Sequence, residues 1–305
     1  MNERAGAAGC RALAARICAA CGLAFVLLFG GPARAAGRAE CRTLPSRILR
    51  RPVAYCVLLP PGYDAQPFRR YPVLYFFHGL GEDEQTLLRL GGWDLIQDLW
   101  DQKRIGKFVI AAPAADRSFY IDSRDGRVRY QDFLVREFFP FIERHYRIRP
   151  GRRFRGVTGV SMGGYGALRL AFLYPGMFGS VSAHSPALIE NVPRLEIHGS
   201  QWSVFEDALG TAFGVPFDRA FWNRNSPFTL ARTLPRPAGV RIYFDCGLQD
   251  DFGFNTGAEA FHRLLLARDI PHEFHLYPGG HNWSYFAQHF PASLEFHSQA
   301  FGYRP

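Results

Sequence analysis

The most constraining feature of this chain is a serine held between glycines, in the sequence GVSMG at Gly159–Gly163. This segment joins an apolar run, Phe154–Val160, to a helix-like run, Gly164–Tyr174. A serine between a strand and a helix must adopt a strained backbone conformation, and the small residues beside it remove side chains that would collide there. The pattern therefore predicts a strand, a tight turn and a helix that expose the Ser161 hydroxyl at the end of a sheet.

Apolar runs rich in Val, Ile, Phe and Tyr alternate with longer amphipathic segments along the rest of the chain. This alternation is typical of a mostly parallel, doubly wound α/β sheet flanked by helices, and we predict a single domain. The first candidate strand ends in Leu59-Pro60-Pro61-Gly62, which indicates an antiparallel hairpin at the sheet edge. The candidate strands are Val53–Leu59, Pro72–Phe77, Phe108–Ala112, Phe154–Val160, Ser180–Ala183, Val240–Phe244 and Glu273–Leu276, and the candidate helices are Glu84–Leu90, Trp93–Asp101, Gln131–Glu143, Gly164–Leu173, Thr256–Ala267 and Ser284–Phe296.

The N-terminus has arginines at positions 4, 11 and 16, then an apolar segment, Leu23–Phe29, then the small-x-small sequence Ala33–Ala35. This order is typical of a secretory signal peptide. The apolar segment is well short of the ~20 residues that a membrane-spanning helix needs, and an uncleaved N-terminal anchor is the alternative. We predict a signal peptide at residues 1–35, cleaved near Ala35, and an exported domain, periplasmic or secreted, at residues 36–305.

The charge of the chain favours a solvated surface over a nucleic-acid site. The formal net charge of +9 falls to +6 when residues 1–35, with four Arg and one Glu, are removed. The remaining arginines are scattered and are not interleaved with aromatic residues as single-strand binding requires. No cluster of His, Cys and Glu has metal-ligand spacing and no glycine-rich dinucleotide loop follows a first strand, so we expect neither a metal nor a cofactor.

Three cysteines remain outside the predicted signal peptide, at Cys41, Cys56 and Cys246. In an oxidising compartment Cys41 and Cys56 could pair and tether the mature N-terminus to the first strand. The alternative is that all three are small buried hydrophobic residues.

A serine nucleophile needs an imidazole to take its proton and a carboxylate to orient that imidazole. In this kind of fold the partners follow in the order serine, acid, histidine, each after a later strand. His281 lies in a glycine-rich turn after the last candidate strand, whereas most other histidines lie in predicted strands or helices. The loop after Val240–Phe244 offers Asp250 as the preferred acid, with Asp251 and Asp245 as alternatives.

Acyl transfer also needs two backbone N–H groups that stabilise the oxyanion of the tetrahedral intermediate. One is expected from Met162, directly after the nucleophile. The other is expected from the loop His78-Gly79-Leu80-Gly81, which follows the candidate strand Pro72–Phe77. We assign it to Leu80, with Gly79 as the alternative.

Residues 186–238 interrupt the strand–helix rhythm and hold many aromatic residues, prolines and glycines. We predict that this segment crosses the sheet end and forms one wall of the active site; an aromatic packing layer without ligand contact is the alternative. Four aromatic residues could line a site for an aryl acyl group or could pack in the core: Trp93, Tyr120, Trp202 and Trp283.

Four segments together resemble the esterase D and antigen 85 group of α/β-hydrolases, which includes tributyrin esterases, S-formylglutathione hydrolases, feruloyl esterases and mycolyltransferases. These segments are 78–81, 159–167, 246–250 and 279–283, and the resemblance extends from about Tyr55 to Phe296. It implies the α/β-hydrolase fold, with Ser161 as nucleophile, His281 as base, Asp250 as acid and the amides of Leu80 and Met162 as the oxyanion hole.

The same resemblance concerns residues around the substrate. Gly79, Tyr120 and Trp283 are candidate substrate-binding residues, Tyr120 because segment 118–122 is similar to a loop that borders the substrate in relatives. At the end of the strand after Ser161, relatives usually have a small residue, whereas this chain has His184. This histidine could contact the substrate or be a hydrogen-bonded structural histidine.

These observations predict an exported serine carboxylesterase that acts on short-chain or aryl, cinnamoyl-type esters of small molecules or carbohydrates. Transfer of the acyl group to a sugar hydroxyl is the first alternative. A non-catalytic carbohydrate- or matrix-binding module is the second. We expect no nucleic-acid partner and no stable membrane span. Formylglutathione hydrolysis is disfavoured because glutathione conjugates are chiefly cytosolic.

Overall fold

An eight-stranded sheet organises the part of the chain that a computed structural model describes, which is residues 36–191, 200–233, 235 and 239–304. The predicted signal peptide, residues 1–35, lies outside the described residues. The strands lie side by side in the order β1-β2-β4-β3-β5-β6-β7-β8. They are β1 (Arg38–Ser46), β2 (Arg51–Leu59), β3 (Val73–Phe77), β4 (Val109–Pro113), β5 (Arg155–Val160), β6 (Ser180–His184), β7 (Arg241–Gly247) and β8 (Glu273–Tyr277).

The sheet is antiparallel at one edge and parallel elsewhere. β1 and β2 form the hairpin predicted for the edge, and β2 pairs antiparallel with β4. All neighbouring strands from β4 to β8 run parallel, so their carboxyl ends meet along one side of the sheet. This arrangement confirms the predicted mostly parallel α/β sheet.

The edge strand β1 is absent from the sequence predictions because it carries few apolar residues and is mostly exposed. Its position is fixed by its register with β2, in which Cys41 lies directly opposite Cys56. A disulfide joins these two cysteines, while Cys246 is buried and free.

Alternate side chains of the central strand β3 enter two different cores, as the pleat of a strand requires. Val73, Tyr75 and Phe77 belong to the larger core, together with Phe139 and Leu170. On the other face, Leu74 and Phe76 belong to a second core that includes Ile96, Trp100, Phe290 and Leu294. Both faces of the sheet are covered at its centre, which explains why β3 and β4 read as unbroken apolar runs.

The α-helices of the described residues are numbered here in chain order. They are α1 (Thr86–Arg89), α2 (Gly92–Asp101), α3 (Tyr130–Phe133), α4 (Phe139–His145), α5 (Met162–Leu173), α6 (Ser200–Phe213), α7 (Arg219–Asn225), α8 (Pro227–Thr233), α9 (Phe254–Ala267) and α10 (Trp283–Ala300). A π-helical segment, Leu134–Phe138, connects α3 to α4, and a short 3₁₀ helix, Arg152–Phe154, precedes β5. Among the described residues, none of these helices combines the length and the hydropathy that a membrane crossing needs.

Candidate active site

Ser161 occupies the sharp turn between β5 and α5, with φ of 52° and ψ of −116°. A non-glycine residue rarely has a positive φ, and such strain is common at functional sites. The turn is possible because glycines lie two residues before and two residues after Ser161. A Cβ on Gly163 would lie 2.1 Å from the Phe77 carbonyl oxygen, and a Cβ on Gly159 would lie 2.4 Å from the carbonyl carbon of Gly163. The local sequence thus holds Ser161 at the carboxyl end of the sheet.

Hydrogen bonds from the next strand fix the backbone of this turn. The Ser161 N–H donates to the His184 carbonyl at 2.9 Å. The Ser161 carbonyl accepts from the N–H of Tyr165 and from that of Ala187, each at 3.0 Å. The nucleophile candidate is therefore held from both β6 and α5, so its position does not depend on its own side chain.

His281 lies in the turn after β8, and its ring faces the loop after β7. Its Nδ1 lies 2.7 Å from Oδ2 of Asp250. Three phenylalanines pack edge-on against the imidazole, Phe252, Phe254 and Phe286, with ring centroids 4.8, 5.4 and 5.5 Å away. The ring is only 9% exposed, so one carboxylate contact and an aromatic wall fix its orientation.

Asp250 is built to remain ionised beside this histidine. Its side chain is inaccessible to solvent. Its Oδ1 accepts hydrogen bonds from the N–H groups of Phe252 at 3.0 Å and Phe254 at 3.2 Å. Burial raises the pKa of Asp250, but His281 and these two amides outweigh it and bring that pKa below its ordinary value. The carboxylate can therefore accept the His281 Nδ1 proton, which leaves Nε2 as the basic nitrogen.

The structure separates the three candidate acids by what each one contacts. Asp251 accepts a hydrogen bond from the backbone N–H of His281 at 2.9 Å, so it holds the loop and not the ring. Asp245 is fully buried under the site, where Tyr285 donates to it at 2.8 Å and His184 Nδ1 lies 2.8 Å away. Asp250 alone among these three contacts the His281 ring.

Leu80, the preferred second oxyanion donor, follows a peptide whose orientation His78 fixes. The Ala115 N–H donates to Nε2 of His78 at 2.9 Å, so Nδ1 carries the proton and donates to the Gly79 carbonyl at 2.8 Å. In a trans peptide the carbonyl and the following N–H point in opposite directions. The Leu80 N–H is thus turned away from His78, and Leu80 lines the cavity that also contains Ser161.

Met162, the first oxyanion donor candidate, is the first residue of α5. The N–H groups of a first helical turn have no partner within the helix and carry its partial positive charge. The alternative donor Gly79 is already engaged, because its N–H donates to Oε2 of Glu82 at 2.8 Å. The geometry therefore favours Leu80 over Gly79 as the partner of Met162.

A cavity of about 510 Å³ opens between these loops and contains both Ser161 and His281. Gly79 and Trp283, two of the candidate substrate-binding residues, line it. Phe205 of α6 also lines it, so the segment 186–238 contributes to the wall as predicted. The remaining described lining residues are Leu80, Glu82, Val160, Asp251, Phe252, Phe254, Asn282 and Phe286.

The third candidate substrate-binding residue, Tyr120, belongs to the core. It is fully buried, its ring stacks on Phe77 with centroids 4.1 Å apart, and its hydroxyl donates to the His78 carbonyl at 3.1 Å. The sequence interpretation of Tyr120 as a pocket residue needs this correction: it supports the loop His78-Gly79-Leu80-Gly81, the proposed oxyanion loop, from behind. Trp93 packs edge-on against Trp100, with ring centroids 5.8 Å apart, and both residues belong to α2.

Two other expectations concern His184 and Trp202. His184 is fully buried, and its Nε2 lies 2.8 Å from the Ser293 hydroxyl. It is therefore a hydrogen-bonded structural histidine and does not contact the cavity. The side chain of Trp202 lies outside the described residues.

Sequence reasoning missed Glu82 and the phenylalanines around His281. Glu82 lies three residues after Gly79, a spacing at which a carboxylate can return to a backbone N–H, as in a capping box. Phe252 and Phe254 lie two and four residues after Asp250, where they give the loop its aromatic wall. That spacing was the available signal, and it does not by itself show which way a side chain points.

Comparison with known proteins identifies the family of the chain. Residues 46–297 match the Esterase family, described as "Putative esterase". Esterase Rv1288 of Mycobacterium tuberculosis is 34% identical over 246 residues, which are 74% of this chain and 51% of that protein. The chain thus spans about half the length of that relative. S-formylglutathione hydrolase of Paracoccus denitrificans is 26% identical over 267 residues, which are 82% of this chain and 89% of that protein.

Solved structures share the fold. A ferulic acid esterase superposes with a TM-score of 0.73 at 25% identity and covers 88% of this chain and 99% of its own. The predicted α/β-hydrolase fold is confirmed by this likeness and by the order of the strands.

Proposed function

The chain belongs to the Esterase family, and on that premise we propose that it is an exported serine carboxylesterase that forms an acyl-enzyme on Ser161. The observation that carries the proposal is that His281, whose Nδ1 lies 2.7 Å from Oδ2 of Asp250, lines the same cavity as Ser161. A strained serine, an oriented imidazole and a buried carboxylate supply the groups that acyl transfer needs.

The proposed reaction proceeds in two steps. Nε2 of His281 takes the Ser161 proton while Oγ attacks the ester carbonyl, and the amides of Leu80 and Met162 bind the oxyanion. His281 then gives that proton to the leaving alcohol, and the C–O bond of the ester breaks. In the second step His281 deprotonates a water molecule, which attacks the acyl-enzyme. The proton returns to Ser161 and the carboxylic acid leaves.

The lining of the cavity supports short-chain or aryl, cinnamoyl-type esters. Phe205, Phe252, Phe254, Trp283 and Phe286 offer aromatic surface to an acyl or aryl group. The similarity to a ferulic acid esterase points in the same direction.

The disulfide Cys41–Cys56 supports export, because disulfides persist in oxidising compartments and are rare in the cytosol. Together with the N-terminal sequence pattern it favours a periplasmic or secreted enzyme. N-terminal sequencing of the exported protein tests this part, and a mature N-terminus near Ala36 is the expected result.

A fluorophosphonate probe tests the catalytic proposal. The wild type should be labelled covalently and Ser161→Ala should not, while both retain the same circular dichroism spectrum. The wild type should also hydrolyse p-nitrophenyl esters of increasing chain length or methyl ferulate. The preferred chain length then indicates the size of the acyl-binding site. A well-folded wild type that neither reacts with the probe nor hydrolyses these esters would favour a binding module instead.

A further inference from the structure

A carboxylate that does not contact the His281 ring lines the active-site cavity. Glu82 is partly buried and lines the cavity with Ser161 and His281. Its Oε2 accepts the Gly79 N–H at 2.8 Å, and the Glu82 N–H donates back to the Gly79 carbonyl at 3.3 Å. These two hydrogen bonds fix the carboxylate, so its charge has a defined position beside the oxyanion loop.

The charges around Glu82 are not balanced by a cation within the described lining. Asp251 is a second acid of this lining, and the described lining residues include no lysine or arginine. Burial raises the pKa of Glu82 above its ordinary value, although the Gly79 amide and His281 act in the opposite direction. At mildly alkaline pH the cavity therefore carries a fixed negative charge.

The hydrogen bond to Gly79 occupies one oxygen of Glu82, and the carboxylate has further acceptor positions. A carboxylate in a partly desolvated cavity attracts hydroxyl and ammonium groups and repels other carboxylates, and this effect is stronger there than in bulk water. The aromatic residues on the same cavity provide no charge of their own.

We propose that Glu82 is a specificity-determining residue that selects esters by charge. It favours substrates whose acyl or alcohol part is neutral, hydroxyl-bearing or cationic, and it disfavours substrates that bring a carboxylate into the cavity. The inference rests on the proposed esterase function and adds a substrate class to it.

The substitution Glu82→Gln separates the charge of this residue from its structural contact. Glutamine keeps an oxygen that can accept the Gly79 N–H, so the oxyanion loop stays supported while the charge is removed. Glu84→Gln is the matched control, since it is the same change two residues away, at a position outside the described cavity lining.

Two isosteric acetate esters measure the charge preference at pH 8: 4-acetoxybenzamide, which is neutral, and 4-acetoxybenzoate, which is anionic. Wild type should have a higher kcat/KM for the neutral ester than for the anionic one. Glu82→Gln should narrow the ratio of the two kcat/KM values by about tenfold, as expected for loss of one charge at close range. Glu84→Gln should leave the ratio at the wild-type value.

Ionic strength gives a second measurement that needs no variant. Raising the salt concentration to 1 M should narrow the wild-type ratio, because screening weakens the repulsion. An unchanged ratio in a folded Glu82→Gln would overturn the inference. Absence of hydrolysis of both esters by the wild type would instead contradict the proposed function.

Discussion

Oδ2 of Asp250 lies 2.7 Å from Nδ1 of His281, while the next residue, Asp251, holds the backbone N–H of the same histidine at 2.9 Å. Two adjacent carboxylates therefore act on one residue in different ways. The first contacts the ring and fixes its orientation, and the second fixes the loop that carries the ring. Their removal should have very different effects on catalysis.

We predict that Asp250→Asn lowers kcat by about 10⁴-fold, because an amide in that position favours the wrong tautomer of His281. Asparagine retains an oxygen for the amides of Phe252 and Phe254, so the fold should survive. Steady-state hydrolysis of a p-nitrophenyl ester measures the loss, and circular dichroism checks the fold.

Asp251→Asn is the control for this experiment. It removes the charge from the neighbouring carboxylate but leaves the ring of His281 on Asp250. We expect its kcat to fall by less than about tenfold, since an amide oxygen can still accept one backbone hydrogen bond. Equal losses in the two variants would show that Asp250 is not the acid of the site.

The positions of Ser161 and His281 could be predicted from the sequence because glycine-rich turns after apolar runs fix them to strand ends. The acid could not be chosen with the same certainty. Asp245, Asp250 and Asp251 lie within seven residues, and their different partners depend on side-chain directions. Burial beside His184 and Tyr285 removes Asp245 from the cavity, and the spacing of the residues does not show this.

The oxyanion loop and the sheet edge show the same limit. Gly79 and Leu80 are both plausible donors in the sequence. The Ala115 N–H, distant in the chain, sets the tautomer of His78, which orients the peptide after Gly79, while Glu82 accepts the Gly79 N–H. The mostly parallel sheet was predictable from apolar runs such as β3 and β4, which alternate with amphipathic segments. The strand β1 was not, because an exposed edge strand has no buried face to give it an apolar pattern.

The disulfide between Cys41 and Cys56 gives a prediction about stability. It closes a loop with a sequence separation of 15 at the sheet edge, and a cross-link of this length restricts the unfolded chain by about 3 kcal/mol. We expect Cys41→Ser combined with Cys56→Ser to lower the free energy of unfolding by about that amount in urea denaturation, while the folded enzyme keeps its kcat.

Cys246→Ser serves as the comparison, because Cys246 is buried and forms no disulfide. Addition of a reductant should destabilise the wild type and the Cys246→Ser variant, but it should not affect the double variant further. A double variant as stable as the wild type would contradict this account of the hairpin.

The burial of His297 leads to a prediction of how the stability of the fold depends on pH. Its ring is fully buried in α10, with Nδ1 2.7 Å from the Ser180 hydroxyl and Nε2 2.9 Å from the Ser182 hydroxyl. Burial, assisted by repulsion from His184 and Arg241, lowers the pKa of His297 to about 3. The histidine of the unfolded chain has a pKa of about 6.5, so below that pH the unfolded state binds a proton that the folded state excludes.

The stability of the folded state must therefore decrease as the pH falls from about 6.5 toward 3, by about 1.4 kcal/mol per pH unit from this residue, or about 3 kcal/mol at pH 4.5. His297→Gln keeps polar contacts to the two hydroxyls but cannot take the proton, so it should lose this contribution. Urea denaturation at several pH values from 7.5 to 4.5 measures the difference in unfolding free energy between wild type and variant. Other titrating groups are common to both proteins and cancel in that difference. As the pH falls, the variant should therefore become more stable relative to the wild type. Parallel stability curves would mean that His297 binds its proton as readily in the folded protein as in the unfolded chain.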